Sequence, residues 1–159
     1  MNKTMKIFAA FFAGNLVFAF LYSGVFWVVS RLDVTPYGRL MTTFFKGRTP
    51  QEAQAYIEAH QALFDRMLPE AARFSNLFVT PSVGFVMGLV MGLIISTKEW
   101  KTPVVWSFIS VLPITVLFWI WSGGEPNRAA YLLFLLAATV AGGFIGNVIS
   151  TSVLASRKA

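Results

Sequence analysis

The chain has 159 residues, a net charge of +6, 56% hydrophobic and 13% charged residues, and no cysteine. This composition is too apolar for an ordinary soluble domain, and the basic residues stand at the ends of apolar runs, where they anchor helices in a membrane rather than bind nucleic acid. The lack of cysteine excludes disulfides, thiolate catalysis and cysteine-held metals. Outer-membrane barrels are also excluded, because their strands are short and alternate in polarity.

Four apolar runs are long enough to cross the roughly 30 Å hydrocarbon core of a bilayer as helices. None of the four contains a charged side chain. We therefore expect an all-α integral membrane protein, whose four transmembrane helices form two hairpins because short connections force neighbouring helices to lie antiparallel. The spans are predicted at about residues 7–29, 74–96, 103–121 and 129–150 of a single membrane domain.

The orientation of the spans is predicted from the lysine and arginine residues near their ends. These residues are denser at one set of ends than at the other, where they are spread along a long segment with six acidic residues. We expect the denser side to be cytoplasmic, with both termini inside and the chain in a bacterial inner membrane. The basic residues on this side are Lys3, Lys6, Lys98, Lys101, Arg157 and Lys158.

Residues 30–73, between the first and second spans, form the only sizeable extramembrane segment. Thr35 followed by Pro36 predicts the start of a first short helix. Thr49 and Glu52 predict a capping box at the start of a second helix. Pro69 predicts a break between this second helix and the second span.

The second insert helix is amphipathic, with one apolar stripe that must be buried. The bilayer surface, the neighbouring helix and another subunit are the candidates to cover it. Its polar face is acidic and rich in glutamine rather than basic, which favours protein contact over anionic lipid. We predict a partner-contact surface formed by Tyr56, Ile57, His60, Leu63, Phe64 and Met67.

Two spans carry small residues at every fourth position. Because lipid gives apolar helices no hydrophobic drive to associate, such strips indicate close helix packing, either between the two spans or onto another copy. The two strips match at an offset of 54 residues, which an internal duplication would explain; chance is the alternative, since glycine is common in membrane helices. The predicted packing residues are Gly84, Gly88, Gly92 and Ser96 in the second span, and Ala138, Gly142, Gly146 and Ser150 in the fourth.

The spans lack the chemistry of a catalytic, cofactor or metal site. They contain no ionisable residue, and the chain has one histidine, His60, and no phosphate-binding glycine loop. We therefore expect no enzyme activity, no cofactor and no metal. Asn15 is the most conspicuous polar residue of the spans, and an interhelical hydrogen bond is its expected role.

The leading functional hypothesis is an accessory, scaffold or assembly subunit of a larger membrane complex, or a homo-oligomer. Its partners would be membrane lipid and other membrane subunits or copies of itself, with no nucleic acid. The alternative is a small oligomeric channel or carrier for a neutral or lipid-like solute, using the glycine strips and the prolines of the spans to form a path. A lipid-modifying enzyme is the weakest reading.

Overall fold

The computed structural model describes the backbone of residues 2–121 and 126–156. Within these ranges the chain is all-helical, with 88% helix and no strand, and four helices are long and apolar enough to cross a membrane. The predicted helical, multi-pass character of the chain is thereby confirmed. Arg157, Lys158 and most of the turn expected between the third and fourth spans lie outside the described residues.

The helices of the first, third and fourth spans are longer than predicted, whereas the uninterrupted α-helix of the second span is shorter. Two short insert helices follow the first span, and a π-helical segment at Ser75–Val79 interrupts the α-helix that leads into the second span. The helices are α1 (Lys3–Val29), α2 (Pro36–Phe44), α3 (Pro50–Ala59), α4 (Gln61–Phe74), α5 (Thr80–Ile95), α6 (Lys101–Trp121) and α7 (Pro126–Ser156).

The boundary between the insert and the second span differs from the prediction. The predicted second insert helix divides at His60 into α3 and α4, and α4 continues through Pro69 and the π-helical segment into α5. Pro69 therefore does not end the helix. The π-helical segment lies immediately before Thr80–Pro81, where the proline ring removes one backbone donor and displaces the carbonyl four residues earlier.

The chain divides into two compact units, of which the first comprises residues 1–21 and 80–159. Helix α5 contacts α1 and α7 along two adjacent rows of residues. A methionine row faces α1, where Gly14 leaves room for Met87 and Met91: a Cβ atom on Gly14 would lie 2.6 Å from Met91 Cγ. A glycine row faces α7.

The predicted interhelical hydrogen bond of Asn15 is present in this unit. Its Nδ2 atom donates to Ser110 Oγ of α6 at 2.9 Å and to the Phe11 carbonyl of its own helix at 2.8 Å. Ser110 is buried, so the bond lies among packed side chains. The amide of Asn15 thus joins α1 to α6 in the apolar part of the unit.

The second unit comprises residues 22–79 and holds the insert helices. Leu40 and Phe44 of α2 pack with Ala71 of α4 to form its core. The Thr35 hydroxyl accepts a hydrogen bond from the Gly38 N–H at the start of α2, as its sequence predicts. Gly38 lies against the carbonyls of Leu32 and Val29, where a Cβ atom would not fit.

The capping box predicted at the start of α3 is present. The Thr49 hydroxyl accepts from the Glu52 N–H, and the Thr49 N–H donates to a Glu52 carboxylate oxygen at 2.7 Å. This backbone hydrogen bond, together with one from the Thr49 hydroxyl, lowers the pKa of the Glu52 carboxyl below its usual value. The charged form of Glu52 therefore stabilises the first turn of α3.

Candidate functional site

The glycines of α5 lie directly against the backbone of α7. A Cβ atom on Gly88 would overlap the Thr139 carbonyl oxygen and lie 2.9 Å from the Gly143 nitrogen. A Cβ atom on Gly92 would overlap the Gly143 carbonyl oxygen and lie 2.7 Å from the Asn147 nitrogen. The two backbones are in contact at a separation that only glycine permits.

The glycines of α7 make the same contact in return. A Cβ atom on Gly142 would overlap the Phe85 carbonyl oxygen and lie 2.9 Å from the Leu89 nitrogen, and one on Gly146 would overlap the Leu89 carbonyl oxygen. Residues later in α5 contact residues later in α7, so the two helices run in the same direction. The contact therefore joins two parallel helices of one chain.

The contact is reciprocal at a constant sequence offset. Gly88 of α5 meets Thr139 and Gly143, which stand 54 residues after Phe85 and Leu89. Phe85 and Leu89 are the residues that Gly142 meets, and Gly142 itself stands 54 residues after Gly88. Each helix thus presents the equivalent surface to the other, as in a symmetric parallel helix pair.

The outer members of the predicted strips lie differently from the glycines. Gly84, Gly88, Gly92, Gly142 and Gly146 are buried, whereas Ala138 and Ser150 are half-buried. Ser96 follows the last residue of α5 and has a left-handed backbone conformation, with φ 38°. Because a helix has 3.6 residues per turn, a strict spacing of four drifts by about 40° at each step and leaves the contact face at its ends.

Three further residues of α7 belong to the packing surface although they were not among the predicted packing residues. They are Thr139, Gly143 and Asn147, and all three are buried. Gly143 also faces α6, where a Cβ atom would overlap Ser107 Oγ and lie 3.2 Å from the Pro103 carbonyl oxygen. The adjacent glycines at 142 and 143 are the sequence signal that α7 packs closely on two helices, since neighbouring positions of a helix face different partners. Gly142 serves α5, and Gly143 serves α6 as well.

Asn147 fixes the end of α5 by a pair of hydrogen bonds. Its Oδ1 atom accepts from the Thr97 N–H at 2.9 Å, and its Nδ2 atom donates to the Thr97 carbonyl at 3.0 Å. Asn147 is 3% exposed, so these bonds satisfy a buried amide and two backbone groups that follow the helix. The register of α5 on α7 is thereby held at one end by polar contacts.

The predicted partner-contact stripe of the insert lies largely against the chain's own α2. Tyr56, Ile57, Leu63, Phe64 and Met67 pack on the core of Leu40, Phe44 and Ala71 in the second unit. The sixth residue of the stripe, His60, is exposed, stacks on the Tyr56 ring with centroids 4.1 Å apart and places Nδ1 3.0 Å from the Tyr56 carbonyl. The neighbouring helix, one of the three candidates, therefore covers most of this stripe.

No protein-family model, no curated protein and no solved structure matches this chain. Within the part of the chain that the structure describes, no group of three histidine, cysteine, aspartate or glutamate residues could hold a metal ion. Several polar side chains of the spans instead bond to neighbouring helices or to their own backbone, as Thr139 does by donating to the Leu135 carbonyl. The packing surface between α5 and α7 is thus the most extensive contact between helices of the first unit.

The glycine contact yields a prediction with an internal control. Replacing Gly88 or Gly142 by alanine should destabilise the protein by about 1–3 kcal/mol, because the new methyl group meets backbone atoms that cannot move alone. Gly24→Ala should have no destabilising effect, since nothing lies within 4 Å of a Cβ atom there. Thermal unfolding of the three variants in one detergent measures the difference. Equal midpoints for all three would contradict the contact.

Proposed function

We propose that this chain is a non-catalytic multi-pass membrane protein that acts through helix–helix association, as an accessory, scaffold or assembly subunit of a larger membrane complex or of a homo-oligomer. The observation that carries the proposal is the exposed face of α1. Phe8, Phe12 and Phe20 are 72%, 68% and 75% exposed and recur at multiples of four residues. They form one inclined aromatic ridge, which winds by about 120° around the helix from Phe8 to Phe20 and which the rest of the first unit leaves uncovered.

The opposite face of α1 supports this reading. Ala10, Gly14 and Phe18 are its buried residues, and each stands two positions from a residue of the exposed ridge or its extension through Leu16. Two positions on a helix are about 200° apart, so the buried and exposed faces are opposed. Only 11% of the most apolar window of α1 is buried, against 44% for the helix that contains α5. Helix α1 is therefore attached by a narrow edge, and we propose that a partner helix packs on the exposed remainder of its surface.

The polar groups of the spans support a structural rather than a catalytic role. Asn15 donates to Ser110, and Asn147 uses both ends of its amide on Thr97. Polar side chains used in this way position helices in a bilayer, where unsatisfied groups are costly. None of these amides is left directed at a substrate.

The packing of the strips weighs against the channel or carrier alternative. Such a path would require the glycines of α5 and α7 to line an open space. A Cβ atom on Gly88 or Gly142 would instead overlap backbone atoms of the other helix, which leaves no room for a solute between them.

We also propose that the four spans are two hairpins related by duplication, α1 with α5 and α6 with α7. The reciprocal contacts of Gly88 and Gly142 at an offset of 54 residues support this. Duplicated halves that associate side by side are related by an axis along the membrane normal, which makes equivalent helices parallel. The parallel course of α5 and α7 agrees with that relation.

The association proposal is tested by photo-cross-linking from single cysteines, since the chain has no cysteine of its own. A benzophenone–maleimide probe on Phe12→Cys should give one discrete cross-linked product in native membranes. The same probe on Ile109→Cys of α6, where the side chain is 42% exposed, should give only lipid adducts. Labelled but uncross-linked protein at both positions, or equal products at both, would contradict a partner on α1.

We propose that the chain lies in a bacterial inner membrane with both termini in the cytoplasm, because the ends of the spans on that side carry the denser basic residues. Gln61→Cys should then react with an impermeant maleimide added to spheroplasts, and Lys98→Cys should react only after the membrane is opened. Both positions are exposed. The reverse labelling pattern would invert the orientation.

A further inference from the structure

A cleft of about 430 Å³ lies in the second unit beside the end of α1. It is lined by Ser30 and Arg31, which directly follow α1, and by residues of α2 and its C-terminal end, namely Met41, Thr42, Phe45 and Lys46. Two cationic groups therefore border a cleft that also has two apolar side chains, Met41 and Phe45, and two hydroxyls, those of Ser30 and Thr42. This combination is typical of sites for a molecule with an anionic head and an apolar body.

The two cations of the cleft are free to bind an anion. Within residues 2–121 and 126–156, neither Arg31 nor Lys46 forms an ion pair with a carboxylate. The nearest acidic contact of the lining is that of Thr42, whose hydroxyl donates to the Asp33 carboxylate. Asp33 is thus engaged by a hydroxyl, and no acidic residue lines the cleft.

The contact of Arg31 with Trp27 points to the depth of a lipid headgroup. The Arg31 guanidinium carbon lies 3.8 Å from the ring centroid of Trp27, one turn back along α1 toward the apolar run. Tryptophan at the end of a membrane-spanning helix lies at the interface between hydrocarbon and water. A guanidinium that stacks by its face keeps the N–H groups on its edge available to donate to oxygen atoms.

The cleft differs from a second cationic cavity of the same unit. That cavity, of about 390 Å³, is lined by Arg39 and Arg66 but also by the carboxylate-bearing Glu70, and it adjoins the insert helices rather than the end of a span. Its acidic wall would repel a phosphate. The two cavities therefore offer the same number of arginine or lysine residues in different surroundings.

We propose that the cleft at the end of α1 binds the phosphate headgroup of an anionic membrane lipid between Arg31 and Lys46. The phosphate oxygens accept hydrogen bonds from the edge of the guanidinium and from the Lys46 ammonium group. The apolar body of the lipid lies against Met41 and Phe45. The bound lipid links the end of the span to α2 and so stabilises the fold of the second unit.

The test uses the full-length chain in a neutral detergent, with phosphatidylglycerol and phosphatidylcholine as probes and native mass spectrometry to measure bound lipid. Phosphatidylglycerol should bind more tightly than phosphatidylcholine to the wild type. Arg31→Gln with Lys46→Gln should weaken phosphatidylglycerol binding by about 25-fold, since each basic residue at an anionic surface contributes about fivefold. Lys46→Gln alone should weaken it by about fivefold, and this variant leaves the Arg31–Trp27 contact intact.

The matched control is Arg39→Gln with Arg66→Gln, which removes two positive charges from the second cationic cavity of the same unit. It should bind phosphatidylglycerol as the wild type does. An equal loss in this control would show that net charge alone attracts the lipid and would overturn the site. Competition by inorganic phosphate at concentrations comparable to those of the lipid would also overturn it, because the ligand would then be a soluble anion.

Discussion

The backbone contact between α5 and α7 is the interaction on which the packing of the first unit depends. In lipid, apolar helices gain little by turning oily side chains toward one another, so the stability of a helix pair comes from close contact and from polar bonds. The close contact comes from four glycines, Gly88, Gly92, Gly142 and Gly146. The polar bonds are those between Asn147 and Thr97. The adjacent row of α5 uses Met87 and Met91 to fill the space beside Gly14 of α1. Two neighbouring rows on one helix thus hold two different partners.

This arrangement moves the site of any association from the strips to the outer faces. Small residues in a membrane helix show that something packs there but not what, because a glycine offers the same close approach to a helix of its own chain and to a copy. Here the contacts lie within one chain, which leaves the aromatic ridge of α1 and the cleft at Arg31 as the distinctive outward features. The proposed partner helix would pack on the first, and the proposed lipid headgroup would bind at the second.

Much of the helical framework follows from local sequence. The four apolar runs, the cap at Thr35 and the capping box at Thr49 predict elements that the structure contains, because each depends on residues close together in the chain. The break predicted at Pro69 is absent, because a proline within a helix costs less where the carbonyl that it frees can bond to water. Asp65, whose carbonyl Pro69 leaves without its usual donor, is exposed and can bond to water.

The contact surface of α7 was harder to predict, since the position of α5 decides which residues of α7 are in contact. Thr139 and Asn147 are ordinary polar residues of an apolar run until α5 is placed beside them. The apolar stripe of the insert is a similar case: periodicity showed that it must be covered, but its cover, the α2 core of Leu40 and Phe44, is apparent only in three dimensions.

The central claim, that α5 and α7 pack within one chain, is tested most directly by electron paramagnetic resonance. Spin labels at Val86→Cys and Ala141→Cys occupy exposed positions that adjoin Phe85 and Gly142, which are in contact. In liposomes, the doubly labelled chain should show strong dipolar broadening that persists when it is diluted with excess unlabelled chain. Loss of the broadening on dilution would mean that the helices pair between copies, and its absence at every dilution would mean that they do not pair.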